Sequence, residues 1–247
     1  MMCQSSVKPI YALADSRLLF WRTTDGSLFL NHVWRNAHTE HPVAAYIGAS
    51  NHNNPAFYRE IFEPAMQQIS ADECRMILTS ADREDKAFLE RADIILLAGG
   101  DVGVGWRAFR EHGFQELIHQ RFHTGAVLIG VSAGAVQLGL GGLSENGSAL
   151  LSTFGLLPFY VGAHDEHGDW ASLRKALGFV RGGARGIGIP SGGGVIYHSG
   201  VLEPVCKPAL EILVADNVAN AQNRERFLSP NVGLTLPECR TDETCLN

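Results

Sequence analysis

Cysteine is scarce and scattered in this chain. Its five copies stand at Cys3, Cys74, Cys206, Cys239 and Cys245, with no CxxC pair and no Cys/His spacing suited to a metal. That excludes a disulfide-stapled fold and a zinc module, and an odd number suits reduced thiols in the cytoplasm. Cys239 and Cys245 are near enough in sequence to bridge, but a bridge is not expected. Long apolar runs are missing too, and none approaches the roughly 20 residues of a membrane span. Met1–Ile10 is polar and lacks the apolar centre of a secretory signal, so no membrane association is expected. Clustered basic residues are absent and the net charge is −6, which argues against a nucleic-acid partner. Internal repeats and low-complexity segments are absent as well.

What the chain has is material for one large core. Its 247 residues are 45% hydrophobic and 19% charged, the proportions of a globular domain. Apolar runs alternate with helical patterns. Pro9–Leu13, Val43–Ile47, Cys74–Leu78, Asp93–Ala98 and Ala126–Val131 read as strands. Leu18–Arg22 fits a helix or a strand. Leu28–Arg35, Pro55–Ile69, Asp82–Arg91 and Ala108–Phe122 read as helices. Such alternation predicts βαβ units and a mostly parallel sheet with helices on both faces. Further on, Leu138–Ser152 reads as a glycine-rich loop and Leu156–Val161 as an apolar strand. Trp170–Phe179 reads as a helix, Gly186–Ile189 as a strand, and Val195–Leu202 as a hairpin. Leu210–Val214 reads as an edge strand and Val218–Arg226 as helical. A single domain over residues 1–247 is expected, with 231–247 as an extended tail.

The chemistry concentrates in Asp93–Gly139. Two buried strands flank a helix, and each strand runs into a glycine turn: Gly99-Gly100-Asp101, then Gly130-Val131-Ser132-Ala133-Gly134. The second turn is G-x-S-x-G between a strand and a helix. A tight corner there lifts the central side chain above the sheet and turns the first helical N–H groups toward a bound group. Ser132 is thus placed as a nucleophile and the Ala133 N–H as an oxyanion donor. The Gly99-Gly100 turn can supply a second donor. In a parallel sheet the loops Ala49–Asn53, Gly99–Gly105 and Gly130–Gly134 gather on one edge, beyond the carboxyl ends of the strands.

A serine hydroxyl needs a base. His164, closing an apolar strand downstream of Ser132, is the leading candidate among 10 histidines, with His167 next. A rival arrangement is that of an α/β-hydrolase esterase, with His198 as the late histidine and Asp165 or Asp169 as its acid.

The succession GGD, GVSAGA, LLPFYVGAH and GIGIP, within about Val43 to Val214, resembles peptidase family S51, the dipeptidase E and cyanophycinase-like serine peptidases. The resemblance implies a flavodoxin-like sheet akin to class I glutamine amidotransferases, and hydrolysis of a short peptide without metal or cofactor. It makes Ser132 the nucleophile, His164 the base, and the Gly100 and Ala133 amides the oxyanion hole. Gly99 and Asp101 fall at the substrate. The carboxylate that usually orients the histidine falls at Ser191, whose hydroxyl can fix the tautomer but carries no charge. Asp165 or Glu166 is the alternative acid. Losing a triad carboxylate can cost about four orders of magnitude in rate, so a non-catalytic, ligand-binding relative is the alternative. The resemblance also implies a preference for aspartyl dipeptides, read by an arginine. Arg174 is the nearest candidate. On position alone, Asp101, His167 and Trp170 are expected to line the pocket. Whether the protein is a monomer or a homodimer is left open by the sequence.

Overall fold

Short apolar runs form the middle of a seven-stranded sheet in the computed structural model, which describes residues 7–215 and 223–231. β1 (Ile10–Leu13) leads into a 3-10 turn, Ser16–Phe20, and α1 (Leu30–Ala37). The Leu18–Arg22 segment therefore begins as a helical turn. β2 (Val43–Ile47) is followed by α2 (Pro55–Phe57), a π-helical turn over Tyr58–Phe62, and α3 (Glu63–Gln67), together filling the helical stretch expected there. Then come β3 (Glu73–Ile77), α4 (Arg83–Arg91) and β4 (Ile94–Leu97).

The single helix expected over Ala108–Phe122 is two helices, α5 (Val102–Glu111) and α6 (Phe114–His123). Gly113 separates them with φ +73°, a left-handed value that suits glycine. α5 also starts earlier than expected, because the Asp101 carboxylate accepts the Val104 N–H at 2.8 Å and caps it. β5 (Val127–Val131) then runs into α7 (Ala133–Leu138).

Strands β1, β5, β4, β2 and β3 are parallel neighbours in that order. The β3-β2-β4-β5 portion is a doubly wound, flavodoxin-like order whose direction reverses between β2 and β4. Side chains alternate between two cores. Ala45, Ile47, Ile95 and Leu97 join α4 to α7 on one face, while Ala44, Tyr46, Ile94 and Leu96 join α1 and α3 on the other. A sheet covered on both faces explains why these strands read as unbroken apolar runs.

After α7 the chain makes a hairpin of β6 (Gly141–Leu143) and β7 (Leu150–Ser152), where a loop was expected. β8 (Tyr160–Ala163), α8 (Ala171–Gly178) and β9 (Ala184–Ile189) follow. The expected hairpin, β10 (Gly194–His198) and β11 (Val201–Val205), extends the main sheet antiparallel beside β1. β12 (Ala209–Val214) and β13 (Arg224–Leu228) complete a second sheet of order β13-β12-β9-β8. β12 is thus an inner strand and not an edge, since β9 and β13 pair with its two sides. Residues 224–226 are strand and not helix. Residues 218–222, the tail beyond 231, and Cys3, Cys239 and Cys245 lie outside the described residues. Among the described residues, no helix is long and apolar enough to cross a membrane.

Candidate active site

The carboxyl ends of β2, β4 and β5 meet as expected, and glycines make the meeting close enough. A Cβ on Gly100 would lie 2.0 Å from the Ser50 carbonyl oxygen, and one on Gly134 would lie 2.2 Å from that of Leu97. Real side chains never approach so closely, so both positions are reserved for hydrogen. The Ser50 oxygen accepts the Asp101 N–H at 2.8 Å. Behind it lies a buried polar pair that sequence reasoning missed. Gln137 Nε2 donates to Ser50 Oγ and to the Val102 carbonyl, each at 3.0 Å, with Ser50 2% and Gln137 0% exposed. These bonds tie the turn after β2, the start of α5 and the helix α7 together.

Ser132 sits at the corner between β5 and α7 with φ +51° and ψ −110°. That conformation is sparsely populated for a residue with a Cβ, and the surrounding packing imposes it. Its N–H donates to the Leu13 carbonyl at 2.9 Å. Its Oγ lies 2.7 Å from His164 Nε2. His164 follows β8, also at positive φ (+45°), and its N–H donates to the Ile189 carbonyl at 2.9 Å. The parallel pairing of Ala163 with Ile189 thereby sets the imidazole over the end of the main sheet.

Ser132 and His164 share the wall of a cavity of about 540 Å³ with Gly100, Asp101, Ala133 and Asp165. Among the described residues no backbone carbonyl accepts the Gly100 N–H. The Ala133 N–H, at the first position of α7, has no helical carbonyl one turn back to bond. Two amides are therefore available beside the hydroxyl. The far wall is the β6–β7 hairpin, Gly141–Gly147, which the glycine-rich composition had disguised as loop. Its Glu145 pairs with Arg107.

Other expected site residues lie elsewhere or do other work. Gly99 does not line this cavity; it packs under Ser132, where an added Cβ would sit 3.3 Å from Ser132 Cβ. Asp101 lines the cavity while capping α5. Asp165 lines it too, but its Oδ2 accepts the Ser172 N–H at 3.0 Å near the start of α8. Arg174 is on the opposite face of α8 from Ser172, Leu173 and Ala176, and its guanidinium pairs with Asp169 and Glu225. It does not line the cavity. Neither does His167, nor Trp170, which is buried beneath Gly188. His198 is on β10, where Nε2 bonds the Val7 carbonyl beside a separate cavity containing His32 and Glu203. The rival esterase arrangement is thus not assembled.

Ser191 follows β9, one strand over from His164. Its N–H donates to Glu166 Oε1 at 3.0 Å. Among the described residues no hydrogen bond reaches His164 Nδ1, so the structure does not join Ser191 to the imidazole. The neighbouring Gly192 N–H donates to Asp15 Oδ2 at 2.6 Å. Two carboxylates therefore hold successive amides of this turn.

Comparison with known proteins agrees with this architecture. The model of peptidase family S51 matches residues 30–191. Among curated proteins none matches the chain. A crystal structure of a peptidase from an acI-B1 Actinobacterium superposes with a TM-score of 0.63 at 15% identity, covering 92% of this chain and 98% of that one. A protein from Listeria monocytogenes EGD-e, assigned as a peptidase E, superposes with a TM-score of 0.60 at 14% identity, covering 80% and 97%. At these identities the neighbours speak for the fold.

Proposed function

The chain belongs to peptidase family S51, whose members are serine peptidases, and from that premise we propose that it hydrolyses short peptides through an acyl-enzyme on Ser132. The observation carrying the proposal is the 2.7 Å contact between Ser132 Oγ and His164 Nε2 at a strained strand-to-helix corner. In this reading the imidazole takes the hydroxyl proton as Oγ attacks the peptide carbonyl carbon. The Gly100 and Ala133 N–H groups hold the oxyanion. His164 then passes the proton to the leaving amine, and water, deprotonated by the same imidazole, cleaves the ester. No step calls on a metal or cofactor.

Aspartyl dipeptides are the finer substrate reading, and the cavity gives it little support. Arg174, its expected reader, is engaged on the far face of α8. The cavity wall instead carries the carboxylates of Asp101, Glu145 and Asp165. The proposal therefore stops at short peptides. A cytoplasmic setting is part of it, on the strength of few and scattered cysteines.

A dipeptide screen with the purified protein and Ser132→Ala tests the mechanism, alongside labelling by a fluorophosphonate. Wild type should turn over at least one peptide and be labelled, and the variant should do neither. His164→Ala should lower kcat by about a thousandfold or more. Full hydrolysis by Ser132→Ala would overturn the mechanism. The second reading, a non-catalytic binding protein of the same fold, is favoured by His164 Nδ1 having no protein partner among the described residues; absence of labelling at every pH would select it.

A further inference from the structure

The turn after β9 lacks a carboxylate at position 191, yet a carboxylate reaches that position from another loop. Glu166, two residues after His164, places Oε1 on the Ser191 N–H at 3.0 Å. Its other oxygen, Oε2, is shut off from solvent and has no hydrogen-bond partner among the described residues. A buried carboxylate oxygen without a partner is costly and calls for an explanation. On the exposed side chain of His164, Nδ1 has no protein partner among the described residues. His164 and Ser191 follow the ends of the paired neighbouring strands β8 and β9. The His164 N–H is bonded to Ile189, and the Ser191 N–H to Glu166.

We propose, resting on the peptidase reading above, that Ser191 and Glu166 together replace the missing orienting carboxylate. The Ser191 hydroxyl accepts the Nδ1–H of His164 and donates its own proton to Glu166 Oε2. Glu166 is then a positioning residue, acting on His164 through the hydroxyl. The imidazolium formed when Ser132 loses its proton is stabilised by a negative charge one hydroxyl away. No proton needs to leave Ser191 for this to work. Burial pushes the Glu166 carboxyl up, but its own backbone N–H, the Ser191 side chain and backbone, and the charge of His167 hold it below the ordinary range, so it is ionised at neutral pH. The charges facing this carboxylate also include Arg17, itself paired with Asp15. Asp165 is unsuited to the role, since its Oδ2 is committed to the Ser172 N–H.

Glu166→Gln separates this role from simple anchoring. The amide oxygen of Gln can still accept the Ser191 N–H, so an anchor would survive while the charge is lost. The expected result is a kcat lowered about 10- to 100-fold with KM within about twofold. The acid limb of the kcat/KM–pH profile should move down by roughly one unit, because an imidazole without its anion releases its proton more easily. Ser191→Ala should do the same, and the double variant should add little to either. Adding Ser191→Asp to Glu166→Gln should restore most of kcat by putting a carboxylate directly beside Nδ1. Wild-type kcat and an unmoved pH profile in Glu166→Gln would overturn the proposal. Fluorophosphonate labelling of Ser132 keeps the two readings apart. Labelling with an unaffected Glu166→Gln removes only the role of Glu166, whereas full activity in Ser132→Ala removes the serine mechanism itself.

Discussion

At the scale of single residues, the corner at Ser132 trades stability for exposure of one hydroxyl. A residue with a Cβ held at φ +51° and ψ −110° costs of the order of 1–3 kcal/mol. Gly134 lets α7 approach the Leu97 carbonyl, and the resulting contact leaves the corner no room to relax. Ser132→Ala keeps the strain, because alanine has the same Cβ. Ser132→Gly removes it, at a cost of roughly 0.5–1 kcal/mol for the greater freedom of glycine in the unfolded chain. The glycine variant should therefore be the more stable of the two by about 1 kcal/mol, read from urea midpoints at equal m values. Equal midpoints would show that the corner is relaxed as it stands.

At the scale of elements, the sequence was most legible where burial on both faces leaves a continuous apolar run. β2 has the expected bounds, and β4 and β5 lie inside their expected runs. Ser132 and His164, whose side chains meet at 2.7 Å, were singled out for a related reason, because each ends such a run. α5 was harder. Its first turn, Val102-Gly103-Val104-Gly105, has poor helix formers. Close packing explains the glycines, since a Cβ on Gly105 would meet Ser50 Oγ at 2.1 Å. β13 gave no strand signal because Arg224, Glu225 and Arg226 are exposed and charged, and pairing with β12 decides their conformation. The contacts of Glu166 with Ser191 and of Gln137 with Ser50 bridge distant segments, and no local pattern announces them. What starts α5 despite its composition is Asp101. Asp101→Asn keeps an acceptor for the Val104 N–H and should leave stability within about 0.5 kcal/mol, whereas Asp101→Ala should cost about 1 kcal/mol. Thermal unfolding of the two variants checks this, and equal losses would mean that the charge of Asp101 matters more than its cap.

At the scale of the whole molecule, the site is shared between two sheets. The main sheet supplies Ser132 and the amides, and the second supplies His164 and the Ser191 turn. Their alignment depends on how firmly the second sheet is built. Its own core is small, with Trp170, Leu173 and Leu177 of the α8 region against Leu210 and Ile212 of β12. Polar support comes from Glu211 in the middle of β12, 2% exposed, whose two oxygens receive Arg185 from β9 and Arg226 from β13. The carboxylate thus cross-links three adjacent strands. Burial pushes its pKa up, but hydrogen bonds and charge from Arg226 and Arg185 outweigh burial and leave it below the ordinary carboxylate range. A folded-state pKa below the unfolded one contributes stability that is present above the unfolded value, near 4.3. That contribution is lost as pH falls through the lower, folded value. Glu211→Gln should therefore be less stable than wild type at pH 7 by about 1 to 2 kcal/mol, a modest figure because the Arg226 guanidinium is largely exposed. The gap should hold from pH 7 to about pH 5 and shrink below pH 4. Urea unfolding of both proteins across that range measures it, and a gap that stays constant into acid would mean that shape, not charge, holds the three strands together.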